Sequence, residues 1–148
     1  MRSPAPILVV DAAILIAAAF GRSAGAILEA QRHCSLVTTD RVVDEARRRI
    51  ALGAGRPELV EIVDGLAENI TVVPVETLAF LLGASELALR EAVASRNGST
   101  RDGHVLALAW SADADIWTSD RDFAGTGVPT WSTPNLMRGL EQARSQAG

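Results

Sequence analysis

Ile7-Leu8-Val9-Val10 is an unbroken apolar run rich in β-branched residues, the pattern of a strand buried on both faces, and it stops at Asp11. Ala-rich helical sequence follows, and Ser23 is placed to cap a further helix to about His33, with Ala26, Ile27 and Ala30 on one face. Ser35-Leu36-Val37-Thr38 predicts a second strand, and Asp40 caps a helix through Ile50. Pro57 opens another helix, ending near Asn69, and Thr71-Val72-Val73-Pro74-Val75 predicts a third strand. Helical patterning returns over 76–82 and 85–96. Asn97-Gly98-Ser99-Thr100 then breaks the chain before a helix over 101–113. Asp115-Ile116-Trp117-Thr118 predicts a fourth strand and 128–131 a short fifth. Pro134 starts a last helix that frays over 144–148.

Strands alternating with helices predict an α/β sandwich around a largely parallel sheet. In such folds ligands sit outside the carboxyl ends of the strands. The length of 148 residues favours one domain, with no repeat, low-complexity block or long linker to divide it. The run from Ile7 to Phe20 behind Met1-Arg2 imitates a signal peptide, but Asp11 interrupts it and it is too short to span a bilayer. No membrane association is expected.

Composition narrows the chemistry. All 14 basic residues are Arg, since Lys is absent, which removes P-loop ATPases, protein kinases and Schiff-base enzymes. Aromatics at 4% argue against a base-stacking platform, so Trp110, Trp117 and Trp131 are expected in the core or an interface. A net charge of −4 provides no global attraction for nucleic acid, so such a partner needs local Arg, a metal ion or a surface formed on assembly. One cysteine, Cys34, excludes an internal disulfide and a Cys-cluster zinc site, and fits a reduced cytoplasmic setting.

The remaining candidates are acids. Asp11 ends the first strand, and Asp120 and Asp122 follow the fourth. On the 101–113 helix, Asp102 falls on the face of Val105, Leu106 and Ala109, while His104 points away from it. On the 40–50 helix, Glu45 flanks the stripe of Val42, Val43, Ala46 and Ile50, and Asp44 faces outward. Each has a plainer reading: helix caps for the aspartates, and an i,i+4 surface pair with Arg49 for Glu45. If the acids converge, bare charges about 5 Å apart repel by about 3 kcal/mol per pair at an effective dielectric near 20. Such a cluster must protonate or bind a cation. Oxygen donors without His or Cys suit Mg²⁺ or Mn²⁺, ions common in phosphoryl chemistry. No G-x-S-x-G is present. The Arg47-Arg48-Arg49 run is spread around its helix and reads as a solvated face, which leaves Arg101 and Arg121 as the better phosphate contacts.

The motifs resemble the PIN domain family, the nuclease fold of VapC-type toxins. Leu8-Val9-Val10-Asp11-Ala12 resembles its opening strand and first acid, and Val42-Val43-Asp44-Glu45-Ala46 its second acidic motif. Arg101-Asp102-Gly103-His104 resembles the third, opening a small-residue-rich helix. Trp117-Thr118-Ser119-Asp120-Arg121-Asp122-Phe123 resembles the fourth. Ala13 departs from the family, which usually carries Asn or Ser two residues after the first acid. The resemblance implies a three-layer α/β/α sandwich, Mg²⁺- or Mn²⁺-dependent RNA cleavage, a homodimer and a cognate antitoxin. Asp11, Asp102 and Asp120 would bind metal directly, and Glu45 and Asp122 through water or at a second ion. Thr118 would orient a ligand or a water, or serve as a plain strand residue. A non-catalytic PIN-like module binding RNA or protein stays open as the alternative. A small Mg²⁺ phosphatase is disfavoured, since Asp11-Ala12-Ala13 stands where Asp-x-Asp is needed.

Overall fold

A computed structural model describes residues 2–91, 101–120 and 123–147. Five parallel strands form one sheet in the order β3-β2-β1-β4-β5. These are β1 (Ile7–Val10), β2 (Ser35–Thr39), β3 (Thr71–Val73), β4 (Asp115–Trp117) and β5 (Thr130–Trp131). The helices are α1 (Ala12–Ala19), α2 (Ala24–His33), α3 (Asp40–Arg48), α4 (Val60–Ala67), α5 (Ala79–Glu91), α6 (Gly103–Ala112) and α7 (Thr133–Ala147).

The connections from β1 to β2 and β2 to β3 step one way across the sheet, and the one from β3 to β4 steps back past β1. Right-handed crossovers then put α1–α4 on one face and α5–α6 on the other. Accordingly α1 packs on α2, α3 and α4, while α6 lies across β1, β2 and β4 with α5 behind it; α7 packs on α2. Leu8, Val9, Val10, Ile116 and Trp117 at the sheet centre are wholly buried, as an all-parallel sheet covered on both faces requires. The order of connections reverses between β1 and β4. That switch point is where an open α/β sheet leaves a crevice at its carboxyl edge.

The structure redraws several boundaries. Thr39, not Asp40, caps α3, because its hydroxyl accepts from Val42 N at 3.0 Å. The Asp40 carboxylate instead accepts from Val75 N at 3.0 Å. The helix beyond Arg48 widens into a π-helical turn over Arg49–Gly53, and Pro57–Leu59 is a 3-10 turn ahead of α4, which ends at Ala67. β3 stops at Val73, since Pro74 has no N–H for the ladder. After a 3-10 turn at Val75–Leu78, α5 runs unbroken through Gly83 and Ala84, where two segments were expected. β5 is confined to two residues, and α7 begins at Thr133 and stays helical to Ala147 instead of fraying. The expected break at 97–100 and the helix end at Arg96 lie outside the described residues. The apolar run that imitates a signal peptide is β1 and α1, split at Asp11. Among the described residues no helix is long and apolar enough to cross a membrane.

Candidate functional site

Asp11 leaves β1 at the switch point. It is the N-cap residue of α1, with Oδ1 accepting from Ala12 N at 2.8 Å, so the cap reading holds for it. Its other oxygen accepts a 2.7 Å hydrogen bond from the Thr118 hydroxyl beyond β4. Thr118 Oγ1 in turn accepts from Asp120 N at 3.0 Å, so one buried hydroxyl joins the two strand ends and sets the Asp11 rotamer. Thr118 therefore orients an acid and is more than a plain strand residue.

Asp120, Glu45 and Asp102 join Asp11 around one cleft of about 760 Å³, with Ala13 presenting only a methyl group there. Burial raises the pKa of Asp11 to about 6 against the hydrogen bonds from Thr118 and Ala12, and the charges of Asp120 and Glu45 push the same way. Asp11 thus senses both acids across space. Glu45 also makes the expected i,i+4 pair with Arg49, at 3.8 Å. Asp44 is exposed and lies outside this cleft.

Asp102 is the N-cap residue of α6 by position, but its carbonyl takes the first helical amides and its side chain makes no capping bond. The cap reading fails for it. Gly103 allows this approach: a Cβ there would stand 2.8 Å from Glu86 Cγ on α5. Asp122 and Arg121 lie outside the described residues.

Sequence patterning placed Arg101 beside the acids but missed other parts of the lining. Arg41, Arg48, Arg49 and Arg101 border the cleft beside the acids. Arg47 turns away and pairs with Asp64 at 3.4 Å. The basic run is thus divided between the cleft and the outer surface, with the π-helical turn carrying Arg49, Leu52 and Gly53 to the cleft rim. His104, expected to point away from the packed face, is only 3% exposed. Burial, with the charge of Arg41 and against that of Asp40, lowers its pKa to about 4, so the ring is neutral. Its Nδ1 lies 2.8 Å from Thr39 Oγ1. A readable signal existed: 103–109 is apolar on every side apart from His104, the mark of a wholly enclosed helix.

Among the described residues no three carboxylate, imidazole or thiolate groups close into a ready-made metal cluster. The carboxylate oxygens of Asp11, Glu45, Asp102 and Asp120 nevertheless offer the donor chemistry of a hard cation.

A family model described as PIN domain matches residues 9–141. No curated protein matches the chain at a significant level. Among solved structures, VapBC2 from Rickettsia felis, bound to a DNA fragment from its promoter, superposes with a TM-score of 0.65 at 10% identity, covering 85% of this chain and 98% of that one. Mycobacterium tuberculosis VapC20, a toxin that cleaves the sarcin-ricin loop, gives 0.63 at 18% identity, covering 82% and 95%. A protein from Pyrobaculum aerophilum gives 0.63 at 16%, covering 91% and 95%.

Proposed function

The chain belongs to the PIN domain family, and on that premise we propose that it is a single-domain, Mg²⁺- or Mn²⁺-dependent endoribonuclease, the toxin of a toxin–antitoxin pair acting in the cytoplasm. The observation that carries this reading is the gathering of Asp11, Glu45, Asp102 and Asp120 around one cleft at the switch point of the sheet. Asp11, Asp102 and Asp120 would hold the ion directly, and Glu45 through water, with Asp122 as a further water-mediated ligand. Mg²⁺ commonly takes one or two carboxylates and keeps several waters, which suits acids that share a cleft without closing into a cage. When bound, the ion lowers the pKa of a water and neutralises charge developing on phosphorus.

The chain's own residues do the positioning. Thr118 fixes the Asp11 carboxylate, and Gly103 lets α6 bring Asp102 to the cleft. Arg41, Arg48, Arg49 and Arg101 set guanidinium groups where an RNA phosphate must approach the acids, which answers the lack of a global positive field. A homodimer and an antitoxin complete the assignment. The R. felis structure, a VapBC pair on promoter DNA, supports the antitoxin partner, and Phe80 and Leu87, exposed one heptad apart on α5, offer an apolar surface for a second copy.

Purified protein incubated with mixed RNAs should cleave them with Mn²⁺ and stop when EDTA is added. Asp102→Asn should abolish cleavage with an unchanged melting temperature, whereas Asp44→Asn should cleave normally. An active Asp102→Asn, or an inactive Asp44→Asn that still folds, would place the chemistry elsewhere.

A further inference from the structure

We propose that His104 is a substrate contact, donating a hydrogen bond through Nε2 to a phosphate oxygen of the RNA strand in the cleft. This rests on the ribonuclease reading and adds a residue that reading does not use. His104 is almost wholly buried, yet it is one of the residues that line the cleft, as Asp102 and Arg41 also do. The state of the ring follows from hydrogen-bond accounting. Thr39 Oγ1 accepts from Val42 N at 3.0 Å and must place its own hydrogen, and among the described residues the one acceptor it meets is His104 Nδ1 at 2.8 Å. Donation from Thr39 leaves the ring proton on Nε2.

That second nitrogen has no hydrogen-bond partner among the described residues. Buried polar atoms are normally paired, with protein or with water, and an oxygen of a ligand entering the cleft would serve as that acceptor. A protonated Nε2 has no lone pair to give a metal ion, which separates His104 from the carboxylates in role. Arg41, Arg48, Arg49 and Arg101 line the same cleft and favour an anion there, which in a nuclease is a backbone phosphate. Thr39 also caps α3, which carries Glu45, so the donor is held on the same frame as the acids.

Two substitutions separate the donor from the rest of the side chain. In His104→Asn the amide oxygen can still accept from Thr39, but nothing donates at the Nε2 position. In His104→Gln the amide nitrogen can reach that position. Both would be compared with wild type on a single-stranded mixed-sequence RNA oligonucleotide, with binding followed by anisotropy in Ca²⁺ and cleavage in Mn²⁺. His104→Asn is expected to weaken binding and raise KM by about ten- to hundredfold, the worth of one hydrogen bond to a charged group, with kcat and Mn²⁺ affinity near wild type. His104→Gln is expected to recover most of the loss.

Wild-type affinity in folded His104→Asn, while the wild-type protein binds and cleaves RNA, would overturn the contact and leave the ribonuclease reading standing. Equal losses in Asn and Gln variants that melt like wild type would also overturn it, because position and not donation would then matter. A wild-type protein that neither binds nor cleaves RNA overturns both.

Discussion

Asp11 and His104 face the same cleft and respond to burial in opposite senses. The folded chain keeps a proton on Asp11 up to about pH 6, which the unfolded chain releases near 3.8. Stability drawn from this group therefore falls as pH rises from about 4 to 6, by on the order of 3 kcal/mol. His104 takes up its proton near pH 4 in the fold and near 6.5 in the unfolded chain, so its contribution rises over nearly the same interval. The two slopes oppose each other. Urea unfolding in EDTA at pH 4.5, 5.5 and 6.5 should show Asp11→Asn gaining stability relative to wild type as pH rises, and His104→Asn losing it. Parallel curves for wild type and both variants would show that neither group is perturbed. Asp11→Asn should also be more stable than wild type at pH 7 without metal, though inactive, because burying an ionised carboxylate is the larger cost.

Each helix that carries a candidate acid ends or begins in a way tied to its place in the sheet. α6 closes at Asp113 in the left-handed region, φ 52°, where its N–H reaches back to the helix. This bend lets Ala114 turn directly into β4, with Ala114 N on Ala109 O at 2.9 Å. A residue with a Cβ is strained there, so Asp113→Gly should stabilise the protein by about 1 kcal/mol, read from denaturant midpoints, with cleavage unchanged. At the start of α3 the Thr39 hydroxyl serves both the cap and His104. Thr39→Val should cost about 1–2 kcal/mol through the lost cap, more than Thr39→Ser, which keeps the oxygen. A Val variant as stable as wild type would mean that α3 needs no cap from this side chain.

Across the whole molecule, acids after β1, on α3, just before α6 and in the segment after β4 share one cleft, so their mutual repulsion is a property of the assembled fold alone. A cation binding only the folded form stabilises it by about 2.7 kcal/mol at 100 times its Kd. For a domain of this size that is a rise in Tm of about 5–10 °C. Millimolar Mn²⁺ should give such a rise in wild type and little in Asp11→Asn. An unchanged wild-type Tm would argue against a shared ion. At the same scale, Phe80 is 76% exposed on α5, a large apolar side chain that a second copy would cover. Light scattering at tens of micromolar should give a dimeric mass for wild type, and Phe80→Asp should shift it toward the monomer. A monomeric wild type would remove the homodimer.

What the sequence determined by itself was local. Alternating apolar runs and helical stripes set the element order, the parallel α/β class and the strand ends where Asp11 and Asp120 sit, because periodicity and strand burial are written into neighbouring residues. The wheel also separated Glu45 from Asp44 correctly. The tertiary structure decided whatever depended on partners far away in the chain. Thr39 and Asp40 are both competent caps, and the choice fell to Thr39 because Asp40 is used by Val75, 35 residues on. The interior Gly83 costs its helix about 1 kcal/mol against Ala, yet α5 runs through it because Ser85 and Leu89 are buried on the body of the fold. Asp102 was readable either as a cap or as an inward-facing acid, and only the fold decided between them: α6 packs closely on α5, and the carboxylate makes no capping bond and lines the cleft. His104 looked outward because a wheel recognises only one packed face, and here α5 and β2 enclose the helix from more than one side. Patterning along the chain encodes which face of an element is apolar; only the packed fold determines how many faces are covered and which polar groups meet there.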